Sequence, residues 1–285
     1  MRKIILVMAG LTLLLGCGKK NVLNDNKDVV KNQTAQVTDQ KAGESNTPAA
    51  DSLKYEVRTF FKTYKGCKET EDNCSYIKMV YPVFTTGKSY EIINRFVNAF
   101  LADSIYNTEE GKTNNSLDGL AANFFKDYEV FKNDFPDWGL SYALDLNGAI
   151  HLNKNNLVTL EINYYIFTGG AHPNTYLTYF IFNTEIGKLL GVRDIFIKGF
   201  EDKLNRLIDK KYREFRGLSG KERLDGEKGM LFENKISYND NIGLSRDGVT
   251  FYYNNYEISA YAVGPTELNF TYKELDEILR SEFKK

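Results

Sequence analysis

The sequence predicts an α+β protein: a largely antiparallel sheet with helices packed on one face, built as two modules. Three observations predict it. Apolar residues alternate at period two in many short runs and recur at three and four residues in only a few stretches. Turn signals such as Asn147-Gly148 and Asp247-Gly248 join successive strand-like runs, as antiparallel neighbours require. The runs follow the order strands, two helices, strands, one helix, strands, one helix, which suits helices segregated to one side of a sheet.

Each element has its own warrant. Tyr55, Val57, Thr59 and Phe61 alternate with Glu56, Arg58, Phe60 and Lys62; Ile77, Met79, Tyr81 and Val83 do likewise, so two strands flank a polar loop. From about Lys88 the period changes, and Ile92, Ile93, Phe96, Val97, Phe100 and Leu101 form one face of a helix. Leu117, Leu120, Ala121, Phe124, Phe125, Tyr128 and Phe131 mark a second helix, with Ser116 as N-cap and Pro136 ending it. Strand character returns at Trp138, and Asn147-Gly148 reads as its hairpin turn. Leu157 to Phe167 and Tyr176 to Phe182 are strands separated by Thr168-Gly169-Gly170-Ala171-His172-Pro173. Leu204, Leu207 and Ile208 place a third helix over about Gly199 to Arg216, and the Gly-rich, charged stretch Gly217 to Glu233 reads as a loop. Asp247-Gly248 turns one hairpin, Glu267 to Phe270 is a short strand, and Thr271 to Glu274 has the form of a capping box. That box opens a final helix with Leu275, Ile278, Leu279 and Phe283 on one face.

The first seventeen residues bear on location. A basic start, Met1-Arg2-Lys3, precedes an apolar run from Ile4 to Leu15, too short to span a bilayer comfortably and suited to a secretory signal. Gly16-Cys17 then resembles a bacterial lipobox, in which the thiol is lipidated and the chain is cut before Cys17. The alternative is an ordinary signal peptide with a chance Cys at the cut. Residues 18–51 contain no aromatic residue and cannot bury enough apolar area to offset ordering entropy; they are expected to form a flexible tether. Such a coil would span on the order of 30 Å on average. No acidic run follows Cys17, so a periplasm-facing anchor is expected if the organism has two membranes. Removing Arg2 and Lys3 with the signal takes the formal charge from −1 to −3. Neither value suggests a nucleic-acid partner.

With Cys17 assigned to lipidation, Cys67 and Cys74 remain. An exported chain with one remaining pair is expected to form a disulfide, although free or metal-bound thiols stay open as alternatives. Thr168 to Pro173 is the most distinctive local feature. Gly169 and Gly170 permit positive φ, and Pro173 pushes His172 towards an extended conformation. The loop either presents an imidazole and backbone N–H groups to a ligand or is a shaped crossover with His172 bonded to a carbonyl. Tyr252, Tyr253, Tyr256 and Tyr261 crowd the segment around Asn254-Asn255 and are either a stacking or anchoring surface or half-buried sheet residues. His151 is expected on a strand and not beside His172. Two His cannot make a three-His zinc site, and no zinc-protease, serine-elbow or phosphate-loop motif occurs, so no metal, cofactor or catalytic residue is assigned. Asp134, Asp137 and Asp145 around Trp138 offer paired carboxylates for glycoside cleavage or, more ordinarily, a solvated rim.

Four stretches resemble a known family. They are Thr168 to Pro173, Phe182 to Lys188, Asp194-Ile195-Phe196, and Tyr256 to Pro265 with the strand and helix that follow. They are similar to bacterial extracytoplasmic domains that pair an N-terminal module of unknown function with an RsiV-type C-terminal module. That family includes the outer portion of a lysozyme-sensing anti-sigma factor and the accessory module of PdaC-type peptidoglycan deacetylases. The expected layout is then a signal peptide over 1–16 and a lipidated Cys and tether over 17–51, read from the residues, followed by what the resemblance implies: an N-terminal module over 52–165 and an RsiV-type module over 166–285. Neither the cytoplasmic sigma-binding segment and membrane span of the anti-sigma factor nor the metal-dependent catalytic domain of the deacetylase is expected from these residues. The resemblance therefore implies a non-catalytic envelope binder of a lysozyme-like protein or a cell-wall glycan and assigns no contact residues; the loop and the Tyr-rich segment themselves offer Gly169, Gly170, His172, Tyr256 and Tyr261 as candidate contacts. The rivals are a carboxylate-based hydrolase of wall sugars and a structural protein without a specific ligand.

Overall fold

A computed structural model describes residues 52–71, 73–106 and 113–284. The expected signal peptide, Cys17 and the tether lie outside the described residues. The chain runs β1 (Lys54–Thr63), β2 (Tyr76–Thr86), α1 (Tyr90–Asp103), α2 (Leu117–Asp134), β3 (Ala143–Lys154), β4 (Leu157–Phe167), β5 (Asn174–Asn183) and β6 (Lys188–Leu190). It continues through α3 (Val192–Ile195), α4 (Glu201–Arg216), β7 (Ile242–Leu244), β8 (Gly248–Tyr253), β9 (Thr266–Thr271) and α5 (Tyr272–Leu275). Among the described residues the strands form a six-stranded sheet in the order β1-β2-β3-β4-β5-β6 and a three-stranded sheet β7-β8-β9. The fold is α+β, as the sequence predicts. All pairings are antiparallel except β2–β3, which is parallel and needs the α1–α2 crossover between its strands.

Two cores share the large sheet. On one face, Ile77, Met79, Leu144, Leu146, Leu160 and Ile162 meet Ile93, Val97 and Leu101 of α1 and Leu120, Phe124 and Tyr128 of α2. On the other face, Ile181 and Leu152 meet α4 through Leu204, Ile208 and Tyr212, and the small sheet through Val249, Phe251, Leu268 and Phe270. Successive strand residues point to opposite faces, so Ile181 and its neighbour Phe182 serve different cores. Strand β3 changes allegiance at a bulge: Ile150 pairs with Leu160, Leu152 with Thr159, and His151 is the extra residue. The bulge turns both His151 and Leu152 towards the second face.

Several expectations are corrected. Asn147-Gly148 is not a turn; it lies within β3, where Asn147 pairs with Asn163 and Gly148 with Ile162. A Cβ on Gly148 would sit 2.9 Å from Pro82 Cδ and 3.3 Å from the Tyr81 Cα, so the glycine admits the close passage of β2. The hairpin turn is Asn155-Asn156, both left-handed at φ 54° and 57°. The strand expected from Trp138 begins only at Ala143; before it, the Tyr142 N–H donates to Ser75 Oγ at 2.8 Å while the Tyr142 ring packs into the core. The final helix stops at Leu275, although its capping box is present, with the Glu274 N–H bonded to Thr271 Oγ1 and the Thr271 N–H to Glu274 Oε2. The chain then pairs with α3 and the residues after it: Ile197 N–H donates to Ile278 O and Arg280 N–H to Ile195 O. Leu275, Ile278, Leu279 and Phe283 are buried all the same.

The expected loop at the tip of the β1–β2 hairpin is closed by a Cys67–Cys74 disulfide with a Cα–Cα separation of 5.6 Å. Residue 165, where the first module was expected to end, falls inside β4, and the sheet continues through β5 and β6. No described helix is long and apolar enough to cross a membrane.

Candidate binding surface

The β4–β5 connection turns on Gly169 and Gly170, at φ 87° and 97°, a conformation that side chains with a Cβ avoid. Gly169 lies against Phe131 of α2; a Cβ there would stand 3.5 Å from the ring. Phe131 belongs to an aromatic group with Phe135, Trp138 and Tyr142, of which Trp138 is 59% and Phe135 45% exposed.

Beyond the glycines, the loop delivers His172. Its ring stacks on Tyr261 at 3.8 Å between centroids and 14° between planes. Nδ1 stands 3.1 Å from the Pro173 carbonyl oxygen, and Nε2 stands 3.2 Å from Tyr256 Oη. A carbonyl oxygen only accepts, so this geometry assigns the proton to Nδ1 and leaves Nε2 to accept from Tyr256. Tyr261 Oη donates to the same Pro173 carbonyl at 3.1 Å. Tyr256 has a left-handed backbone, φ 65°, and is 56% exposed.

Side-chain amides bring these tyrosines to the loop. Strand β5 pairs with β6 only at its C-terminal end, so the backbone of Leu177 and Tyr179 needs other partners. Asn254 accepts from Leu177 N–H at 2.8 Å and donates to Leu177 O at 3.0 Å; Asn241 accepts from Tyr179 N–H at 2.9 Å and donates to Leu177 O at 2.7 Å. Asn255 Nδ2 donates to Thr175 Oγ1 at 2.9 Å. These contacts clamp the segment around β8 onto β5 and set Tyr256 and Tyr261 over His172.

Of the candidate contacts, the structure brings His172, Tyr256 and Tyr261 together on a loop shaped by Gly169 and Gly170. Sequence reasoning missed Tyr165, half-exposed and opposite Thr175 in the ladder, and opposite Asp145 on its other side. Tyr76 Oη donates to Asp145 Oδ2 at 2.6 Å. Burial pushes the Asp145 carboxyl above its ordinary range, opposed by that hydrogen bond and by Lys78. Burial also raises Tyr165, with smaller contributions from Asp145 and Tyr261, which places all three in one electrostatic neighbourhood. The period-two pattern of β4 was the available signal, since Tyr164 enters the first core and Tyr165 must face away.

The three carboxylates do not converge. Asp145 projects from the face away from α2, whereas Asp134 and Asp137 are exposed at the end of that helix. His151 belongs to another contact: its Nε2 lies 2.7 Å from Glu161 Oε2, and its ring stands edge-on to Tyr179 at 5.5 Å. Among the described residues, no group of three or more His, Cys, Asp or Glu is arranged to hold a metal ion.

Residues 67–175 match the family model described as deacetylase PdaC, and residues 193–273 match the model of a protein of unknown function, DUF3298. The chain thus carries a PdaC deacetylase-like N-terminal domain and a DUF3298 C-terminal domain. The loop with His172 falls in the first match and Tyr256 and Tyr261 in the second, so the cluster is built by both. A solved DUF3298 family member from Bacteroides fragilis is 23% identical, with TM-score 0.64, over 82% of this chain and 96% of that one. A DUF3298 family protein from Pseudomonas aeruginosa is 20% identical, with TM-score 0.62, over 83% and 99%. Both share the fold. No curated protein matches the chain.

Proposed function

We propose that this pairing of a PdaC-like and a DUF3298 domain serves as a non-catalytic binder in the cell envelope, anchored through lipidated Cys17. Its ligand is a lysozyme-like protein or a cell-wall glycan. The observation that carries the binding reading is the His172–Tyr256–Tyr261 cluster, contributed by both domains, with exposed Tyr165 in the electrostatic neighbourhood of Tyr261. Exposed aromatic rings whose polar tips are already tied to the protein offer large, rigid contact faces at low entropic cost. The Cys67–Cys74 disulfide supports the location, since such bonds persist in oxidising compartments.

The test is calorimetric titration of the full chain with lysozyme and then with muropeptides. Micromolar or tighter binding that Tyr256→Ala abolishes without lowering Tm supports the reading. Silence with both ligands, or turnover of the muropeptides, overturns it. For the address, Cys17→Ser is expected to release the protein from membranes; continued attachment removes lipidation from the account.

A further inference from the structure

Among the described residues, strand β1 is the outer strand of the large sheet, pairing with β2 on one side only. It is long, running Lys54–Thr63, and nearly all of it is exposed. Val57 is 62% and Phe61 43% exposed, and both point to the face away from α1 and α2, because Phe60 between them pairs with Met79 of the first core. An edge of this length presents a row of backbone donors and acceptors ready for another strand.

We propose that the occupant of this edge is β1 of a second copy of the chain, joined antiparallel about a two-fold axis at Thr59 so that two sheets become one. The register follows from the sequence. A two-fold axis perpendicular to the sheet keeps the α1–α2 faces on the same side, so each odd-numbered residue must meet an odd-numbered one. Centring on Thr59 sets Glu56 opposite Lys62 of the second copy, Val57 opposite its Phe61, Arg58 opposite its Phe60 and Thr59 opposite itself. Each pair except Thr59 with itself occurs twice by symmetry, and opposite charges and apolar pairs are the favourable cross-strand combinations. The neighbouring allowed registers fail. Centring on Arg58 sets Arg58 against Arg58 and Lys54 against Lys62; centring on Phe60 sets Arg58 against Lys62. The charges on this strand therefore repel copies slipped to either adjacent register and favour the one centred on Thr59. In the single chain Glu56 pairs with Arg58 and Lys62 with Asp118, but both pairs are exposed and cheap to exchange.

Sedimentation velocity of the full chain over a dilution series tests the proposal. A reversible dimer is expected. Glu56→Lys should weaken it about tenfold by setting two like-charge pairs, and Glu56→Lys with Lys62→Glu should restore it. With Cys17 replaced by Ser, Thr59→Cys is expected to give a disulfide-linked dimer on mild oxidation, whereas Glu56→Cys should not. A monomer at every concentration, or a dimer indifferent to the charge swap and to the position of the cysteine, overturns it.

Discussion

His172 is held on three sides, by the Tyr261 ring, by Tyr256 Oη and by the Pro173 carbonyl, and each contact can be removed separately. His172→Phe preserves the stack and loses the hydrogen bonds; His172→Ala loses both. If the cluster is the binding surface, His172→Ala should weaken ligand binding by about 1–2 kcal/mol in a titration while far-UV dichroism and Tm stay near those of the wild type. A large fall in Tm with unaltered affinity would instead mark His172 as a structural tie. His151 makes a pH-dependent contribution. The hydrogen bond to Glu161 raises its pKa above 6.5, opposed by burial and aided by the charges of Glu161 and Glu267. A group whose folded pKa is raised stabilises the fold fully below its unfolded pKa and loses that contribution as pH climbs through the folded one. The stability difference between wild type and His151→Gln should therefore shrink from pH 6 upward, as read by urea unfolding at successive pH values; a difference that grows with pH would refute the assignment.

At the scale of elements, the helices and most strands were legible because one signal dominated each. In α1 and α2 the apolar spacing of three and four residues fixes the buried face, and Ser116 caps α2 by accepting from Gly119 N–H at 3.0 Å. Ser116→Ala should cost about 1 kcal/mol in chemical unfolding. The misread Asn147-Gly148 shows the limit of local chemistry. Asn-Gly favours a tight turn, but here the glycine answers to β2, a strand far away in sequence, and no local pattern reports that pressure. Gly148→Val should accordingly destabilise by about 1–3 kcal/mol through overpacking against Pro82, measured by thermal unfolding. The end of the last helix was misread for a related reason. Residues 278–280 have helical spacing but find backbone partners in the segment around α3, and that tertiary pairing outweighs weak propensity. The candidate surface was half legible: composition singled out His172, Tyr256 and Tyr261, while the asparagine clamps that unite them depend on the edge left open along β5. The disulfide spans so short a loop that chain entropy allows it about 2.5 kcal/mol at most; Cys67→Ser with Cys74→Ser should lose no more than that.

For the described part of the chain as a whole, the shared sheet decides how the parts depend on one another. The first core uses β2, β3 and β4, the second takes Leu152 and Ile181 from β3 and β5, and the bulge at His151 hands β3 from one to the other. Neither core closes without strands the other also uses, so calorimetry should record one unfolding transition, and a fragment ending at residue 165 should not fold; two resolved transitions would contradict this. The parallel β2–β3 pair has a consequence for the order in which structure forms. The β1–β2 hairpin and the β3–β4–β5 meander each close over short loops, but joining them requires Ile77 to find Leu144 across the whole helical crossover. Closing so long a loop precedes its reward, and such contacts set the speed of assembly. Shortening Ile77 to Val should therefore slow refolding, while the same kind of trimming at Leu268 in β9 should mainly hasten unfolding, as stopped-flow measurements on the two variants would resolve. The seam between two locally formed pieces, rather than either piece, would then be the clock of the molecule.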